Sequence, residues 1–208
     1  MLGTAQILSY IAALGLAAAI PGPGMTALVA RSVSSGAVTG FTMLTGLILG
    51  DLIYLSIAVF GLAVIAHSFT PLFTLINWAA AIYLCWLAWQ FWKYNPQAID
   101  IDRRADRKEL FSAWFSGLTI TLGNPKTIAF YLAILPLVMS LDNVSLQTWG
   151  MMLVPLTILV LLAVGAIFIL AALRIRHFLT SAHAQKILFR SAGAIMLLAA
   201  VGMVAKTL

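Results

Sequence analysis

Six long apolar segments decide what this chain can become. They cover residues 5–33, 38–66, 70–92, 111–139, 146–173 and 186–206. A helix needs roughly 20 residues to cross the hydrocarbon core of a bilayer, and a tilted one needs more. Closed β-barrels are the other way to satisfy every backbone group in lipid. Barrel strands alternate apolar and polar residues in runs of about ten, whereas these segments are continuous and rich in Leu and Ala. The expected fold is therefore an all-α polytopic membrane protein with six transmembrane helices. Only 9% of the 208 residues are charged, against about a quarter in a soluble domain. The longest polar stretch, Lys93 to Glu109, is too short for a soluble core of its own.

The formal net charge of +6 belongs to the connections, where it sets orientation in the lipid bilayer. No basic helix or stacking platform points to nucleic acid. With six spans, connections 1–2, 3–4 and 5–6 share one side of the membrane. They hold Arg31, then Lys93, Arg103, Arg104, Arg107 and Lys108, then Arg174, Arg176 and Lys186. The opposite side holds Lys206 alone. The positive-inside rule makes the basic side cytoplasmic and puts both termini outside. Trp89, Trp92 and Trp114 flank the long cytoplasmic loop, and Trp149 opens the fifth span at the outer interface. Signal peptides begin with a basic region. The first basic side chain here is Arg31, so the first segment reads as retained.

Loop 93–110 carries Asp100, Asp102, Asp106 and Glu109 among its basic residues and joins two halves, 1–92 and 111–208. In each half the first segment is interrupted by proline. The interruptions are Pro21-Gly22-Pro23-Gly24 and Gly123-Asn124-Pro125-Lys126, and two unbroken segments follow each. Three spans is an odd number, so the second half enters the membrane the opposite way. Two inverted three-helix repeats with broken helices at matching positions point to a substrate site near the midplane.

Proline lacks an N–H and clashes with the preceding turn, so helices end before it, and it favours the first position of the next helix. Asn124-Pro125 reads as cap plus first residue, and Gly22-Pro23 reads the same way. A half-helix starting inside the membrane would offer free N–H groups and a dipole to an anion. The bland alternative is a kink that only shapes packing. Lys126 follows directly in an apolar segment, where an uncompensated lysine costs roughly 3 kcal/mol. It would snorkel, pair with an acid or hold a substrate carboxylate. Asp51 is the only acid far from a segment end. It reads as a proton carrier, a partner for a substrate ammonium, or a structural partner of Lys126. The candidate substrate-binding residues are thus Gly22, Pro23, Gly24, Asp51, Asn124, Pro125 and Lys126, with Asp51 also the candidate for proton coupling. Asn77 is a weaker candidate on a packing face. Gly36-x-x-x-Gly40 and Gly46-x-x-x-Gly50 offer close-approach surfaces between helices and permit a homodimer.

These residues resemble the LysE/RhtB family of amino-acid exporters. The resemblance lies in Pro21-Gly22-Pro23-Gly24-Met25 with Arg31-Ser32, Gly36 and Gly40; in Gly46-x-x-x-Gly50-Asp51 with Gly61; in Ala81-Ile82-Tyr83-Leu84; and in Asn124-Pro125-Lys126 with Phe130 and Pro136. It runs through nearly the whole chain. It implies efflux of an amino acid across a bacterial inner membrane, driven by the proton gradient, with no cofactor and no covalent chemistry. Many members have Asp after the first Pro-Gly-Pro, where this chain has Gly24. Gly is also common at the positions of Ala80 and Ala88, and Gln-Phe at Leu137-Val138. The missing acid turns the expectation toward a neutral substrate of the threonine, homoserine or leucine kind.

Other classes lack their residues. A cation or metal exporter of related build would need clustered His, Cys or carboxylates in the spans, and His67, His177 and His183 lie near segment ends. Cys85 is the only cysteine, which excludes paired-thiol redox chemistry and a cysteine-rich metal site. Ser56 and Ser116 lie in spans without a histidine base. No enzyme activity is expected. A passive channel would differ from a carrier by unsaturable flux.

Overall fold

The computed structural model describes residues 3–60, 78, 81–82, 85–86, 88–93, 105–139, 144–176 and 182–207. Among them there is no strand. Helix α1 covers Thr4–Ala19, α2 Pro23–Val59, α3 Arg107–Leu122 and α4 Pro125–Ala129. A π-helical turn, Phe130–Ile134, carries α4 on into α5, Leu135–Val138. Beyond it come α6, Leu146–Thr148, a second π-helical turn, Trp149–Leu153, and then α7, Val154–Arg176, and α8, Ala182–Thr207. The described parts of the third apolar segment are helical at 78, 81–82, 85–86 and 88–92. Asn77, Tyr83, His67, His177 and most of loop 93–110 lie outside the described residues.

Both expected breaks are present, and each follows a helix of 16 residues. After α1, Ile20 turns extended (φ −66°, ψ 121°) because Pro21 cannot continue the helix. Gly22 is extended too, and Pro23 opens α2 at its first position. After α3, Gly123 ends the helix and Asn124 is extended before Pro125.

Helix α2 is two helical arms joined at Gly36, and it folds back on itself there. Gly36 has φ 85° and ψ −174°, an essentially glycine-only conformation that costs a side-chain-bearing residue about 1–3 kcal/mol. On either side of it Gly24 meets Leu47, and Gly40 lies against Ser32. Those pairings are antiparallel about Gly36. The arm 37–59 is about 35 Å long, enough to cross a bilayer alone. The arm 23–35, about 20 Å long, follows α1 directly after the break. Gly36 is therefore a turn, not the helix-contact residue its x-x-x-Gly spacing implied.

The second arm of α2 packs on α3 at backbone distance. A Cβ at Gly46 would collide with the Trp114 carbonyl, and one at Gly117 with the Met43 carbonyl. At Gly50 it would lie 2.6 Å from the Thr121 Cβ. From Gly46 against Trp114 and Leu118, through Gly50 against Leu118 and Thr121, to Tyr54 against Leu122, the pairings advance together, so the two helices run parallel. Gly165 on α7 receives the Leu44 side chain in the same way. At one end of the bundle Phe60 meets Trp149, ring centroids 5.4 Å apart. Elsewhere Trp92 Nε1 donates to the Arg190 carbonyl (3.2 Å) and ties the third segment to α8. Leu159, Leu162, Ile167 and Leu170 stand exposed along α7, an apolar exterior that suits lipid and not water.

Candidate functional site

The two breaks meet around one cavity. Ala17 and Ala18 come from the end of α1, Gly24 and Asp51 from the two arms of α2, and Asn124 and Lys126 from the second break. The cavity offers about 50 Å³ to the centre of a water-sized sphere, several times the need of one water. All of the expected site residues except Gly22, Pro23 and Pro125 line it directly, and those three fix the backbone beside it.

Lys126 has a partner that spacing could not reveal. Its Nζ donates to the carbonyls of Ala17 and Ile20, both at 2.7 Å. These are open carbonyls at the C-terminus of α1, where the helix dipole favours a cation. The ammonium has three hydrogens, so one remains after these two bonds. A Cβ at Gly22 would lie 3.5 Å from this nitrogen, in ordinary contact, so the ammonium sits directly beside the first break. The second break is treated reciprocally: Tyr54 of α2 donates its hydroxyl to the Leu122 carbonyl at the end of α3, 2.5 Å away. Each broken end is thus capped by a side chain from the other half of the chain.

The two new helix starts differ. Asn124 caps its own helix, its side chain accepting from the Lys126 amide at 3.1 Å. Gly22 has no side chain to do so, and Pro23 has no N–H to offer. The amides of Gly24 and Met25 therefore begin α2 without a capping side chain, and both residues line the cavity. Thr26 donates its hydroxyl to the Gly22 carbonyl (2.7 Å) and holds the turn in place.

Asp51 stands on the cavity wall, one turn before Tyr54, and is half-buried. Lys126 acts on it electrostatically, but among the described contacts the ammonium goes to carbonyls, not to this carboxylate. The Asp51 carboxylate therefore keeps acceptor capacity toward the cavity. Sequence reasoning missed three hydroxyls nearby. Tyr10 and Thr157 are fully buried and hydrogen-bonded to each other at 2.6 Å. Tyr131 is fully buried and near Asp51 and Tyr10, and among the described residues no hydrogen bond of good geometry reaches its hydroxyl. A buried hydroxyl without a partner costs about 1–3 kcal/mol. The available signal was a lone hydroxyl in a run of apolar residues, and several such residues in this chain are mere packing.

Interrupted helices whose ends meet at a charged cavity within an apolar bundle define a membrane transport protein. Comparison with known proteins makes the class specific. The family model for the LysE type translocator matches residues 16–207, and the chain belongs to that family. A membrane protein of Synechocystis sp., described only as uncharacterized, is 32% identical over 146 residues, 69% of each chain. The leucine efflux protein of Klebsiella pneumoniae is 25% identical over 131 residues, 63% of this chain and 62% of its own length. The threonine efflux protein of Escherichia coli is 28% identical over 134 residues, 62% of this chain and 65% of its own. The chain thus spans less than two thirds of these two efflux proteins. No solved structure matches.

Proposed function

We propose that this protein exports a small neutral amino acid of the threonine, homoserine or leucine kind from the bacterial cytoplasm, coupled to inward proton movement. The observation that carries the reading is one cavity at the junction of two broken helices, with a carboxylate and an ammonium in its wall. A zwitterion needs both. Its carboxylate takes the free amides of Gly24 and Met25 and the remaining hydrogen of Lys126. Its ammonium takes Asp51. A proton from outside competes for the same carboxylate, so Asp51 serves substrate and proton in turn, and that alternation couples the two flows. The relatives named for leucine and threonine efflux support this substrate class.

In this reading the molecule is six spans in two inverted repeats, 1–92 and 111–208, joined by the cytoplasmic linker 93–110. Both termini lie outside, and the two repeats rock about the cavity. The small-residue faces permit a homodimer. The parallel course of α2 and α3 supports the topology, since spans two and four cross in the same direction.

The test is efflux from cells loaded with dipeptides that release single amino acids. Faster release of a few related neutral amino acids, abolished by a protonophore and by Asp51→Asn at equal expression, is expected. Unchanged release of every amino acid from well-expressed protein would reject the exporter. Undiminished gradient-sensitive release by Asp51→Asn would reject the coupling role.

A further inference from the structure

Three hydroxyls sit on the same side of the cavity. Tyr10 is one turn before Leu14 on α1, Thr157 one turn before Leu161 on α7, and Tyr131 one turn beyond Thr127. Leu14, Leu161 and Thr127 all line the cavity. The hydrogens of this cluster can be ordered. Thr157 donates to the Leu153 carbonyl at 2.7 Å, which uses its single hydrogen. The 2.6 Å contact between Tyr10 and Thr157 is therefore donated by Tyr10, and it joins α1 to α7. The Tyr10 oxygen is left as an acceptor. No hydrogen bond of good geometry reaches the Tyr131 hydroxyl among the described residues, and Asp51 and Tyr10 are the polar groups near enough to act on it. Tyr131 lies in one π-helical turn, and Leu153 closes the other. Such turns are frequent at functional positions.

We propose that Tyr131 is a positioning residue that couples the charge state of Asp51 to the contact between α1 and α7. When the carboxylate is bare, the Tyr131 hydroxyl donates to it. When a proton or a substrate ammonium occupies Asp51, the hydroxyl donates to Tyr10. An unbroken chain then runs Tyr131, Tyr10, Thr157, Leu153 carbonyl, and donor chains of this kind strengthen one another. A loaded Asp51 thus holds α1 against α7 and closes the cavity on the Tyr10 side. A bare Asp51 draws Tyr131 away and loosens that side. The inference rests on the reading of Asp51 as the alternating carboxylate. The other titratable groups facing Asp51 are Lys126, Tyr54 and Tyr10.

The experiment uses the full chain in liposomes, with Cys85→Ser and with Leu14→Cys as reporter. Labelling by a membrane-impermeant maleimide is followed from each membrane face between pH about 5 and about 9. It is normalised to the unfolded protein at each pH. Labelling from one face is expected to rise several-fold with pH in this parent. Asp51→Asn should be flat and low, Tyr131→Phe flat, and Tyr10→Phe flat and high. Tyr131→Phe removes one hydroxyl and leaves the ring in place, so the variant is expected to keep its fold. A parent without pH dependence, or a Tyr131→Phe or Asp51→Asn variant that keeps it, would overturn the proposal. The readout needs no transport. Absent efflux with an intact pH response would reject the exporter and leave this coupling standing.

Discussion

Replacing Lys126 by methionine separates the two tasks assigned to its ammonium. As a bracket it makes two charge-assisted bonds, to the carbonyls of Ala17 and Ile20. Bonds of this type contribute about 1.5–3 kcal/mol each. Against them stands the cost of keeping a lysine at membrane depth, about 2.5–3.5 kcal/mol on insertion scales. The difference is a net loss of roughly 0–3 kcal/mol, so Lys126→Met inserts, folds and melts only modestly below the parent. As a substrate ligand the same ammonium has one hydrogen to give. Losing one charge-assisted bond to a carboxylate, about 1.5–3 kcal/mol, raises the apparent KM by roughly 10- to 150-fold. The assay pairs concentration-dependent efflux with thermal unfolding in detergent. Export at the parent's KM by well-folded Lys126→Met would refute the substrate role and leave the lysine as a bracket alone.

Three further outcomes follow from the packing. Gly117→Ala drives a methyl into the Met43 carbonyl and is expected to lower stability by about 1–3 kcal/mol; Gly150→Ala, with nothing within 4 Å, should be neutral or slightly stabilising by thermal unfolding. Gly36→Ala must hold φ 85° and ψ −174° and should lose about 1–3 kcal/mol in the same measurement, whereas an unchanged midpoint would contradict the turn. Tyr54→Phe leaves the Leu122 carbonyl open and should cost about 1–3 kcal/mol, with the loss read as a lower unfolding midpoint at unchanged expression.

The breaks were legible because proline acts locally. Pro21, Pro23 and Pro125 dictate where a helix stops and starts whatever lies around them. The close approach at Gly46 and Gly50 was legible for a similar reason, since absent side chains matter wherever two helices cross. Gly36 was misread because the same spacing rule cannot separate a contact residue from a turn residue. The partners of Lys126 were hidden because backbone carbonyls leave no mark in a sequence, and these lie more than a hundred residues away. The cluster of Tyr10, Tyr131 and Thr157 was hidden because its meaning depends on which helices touch. The π-helical turns were hidden too, since one extra residue in a turn barely disturbs an apolar pattern.

The lysine that finishes α1 has a consequence for how the protein is made. Ile20 waits for a residue 106 positions further along. At synthesis rates of about 5–20 residues per second, that delay is roughly 5–20 s. In the proposed topology the first helix has bare carbonyls at its broken end throughout that delay, needing water, lipid headgroups or the insertion machinery to tend them. The first span is therefore threaded early and completed late, and the nascent chain must tolerate an unfinished helix while its bracket is still on the ribosome.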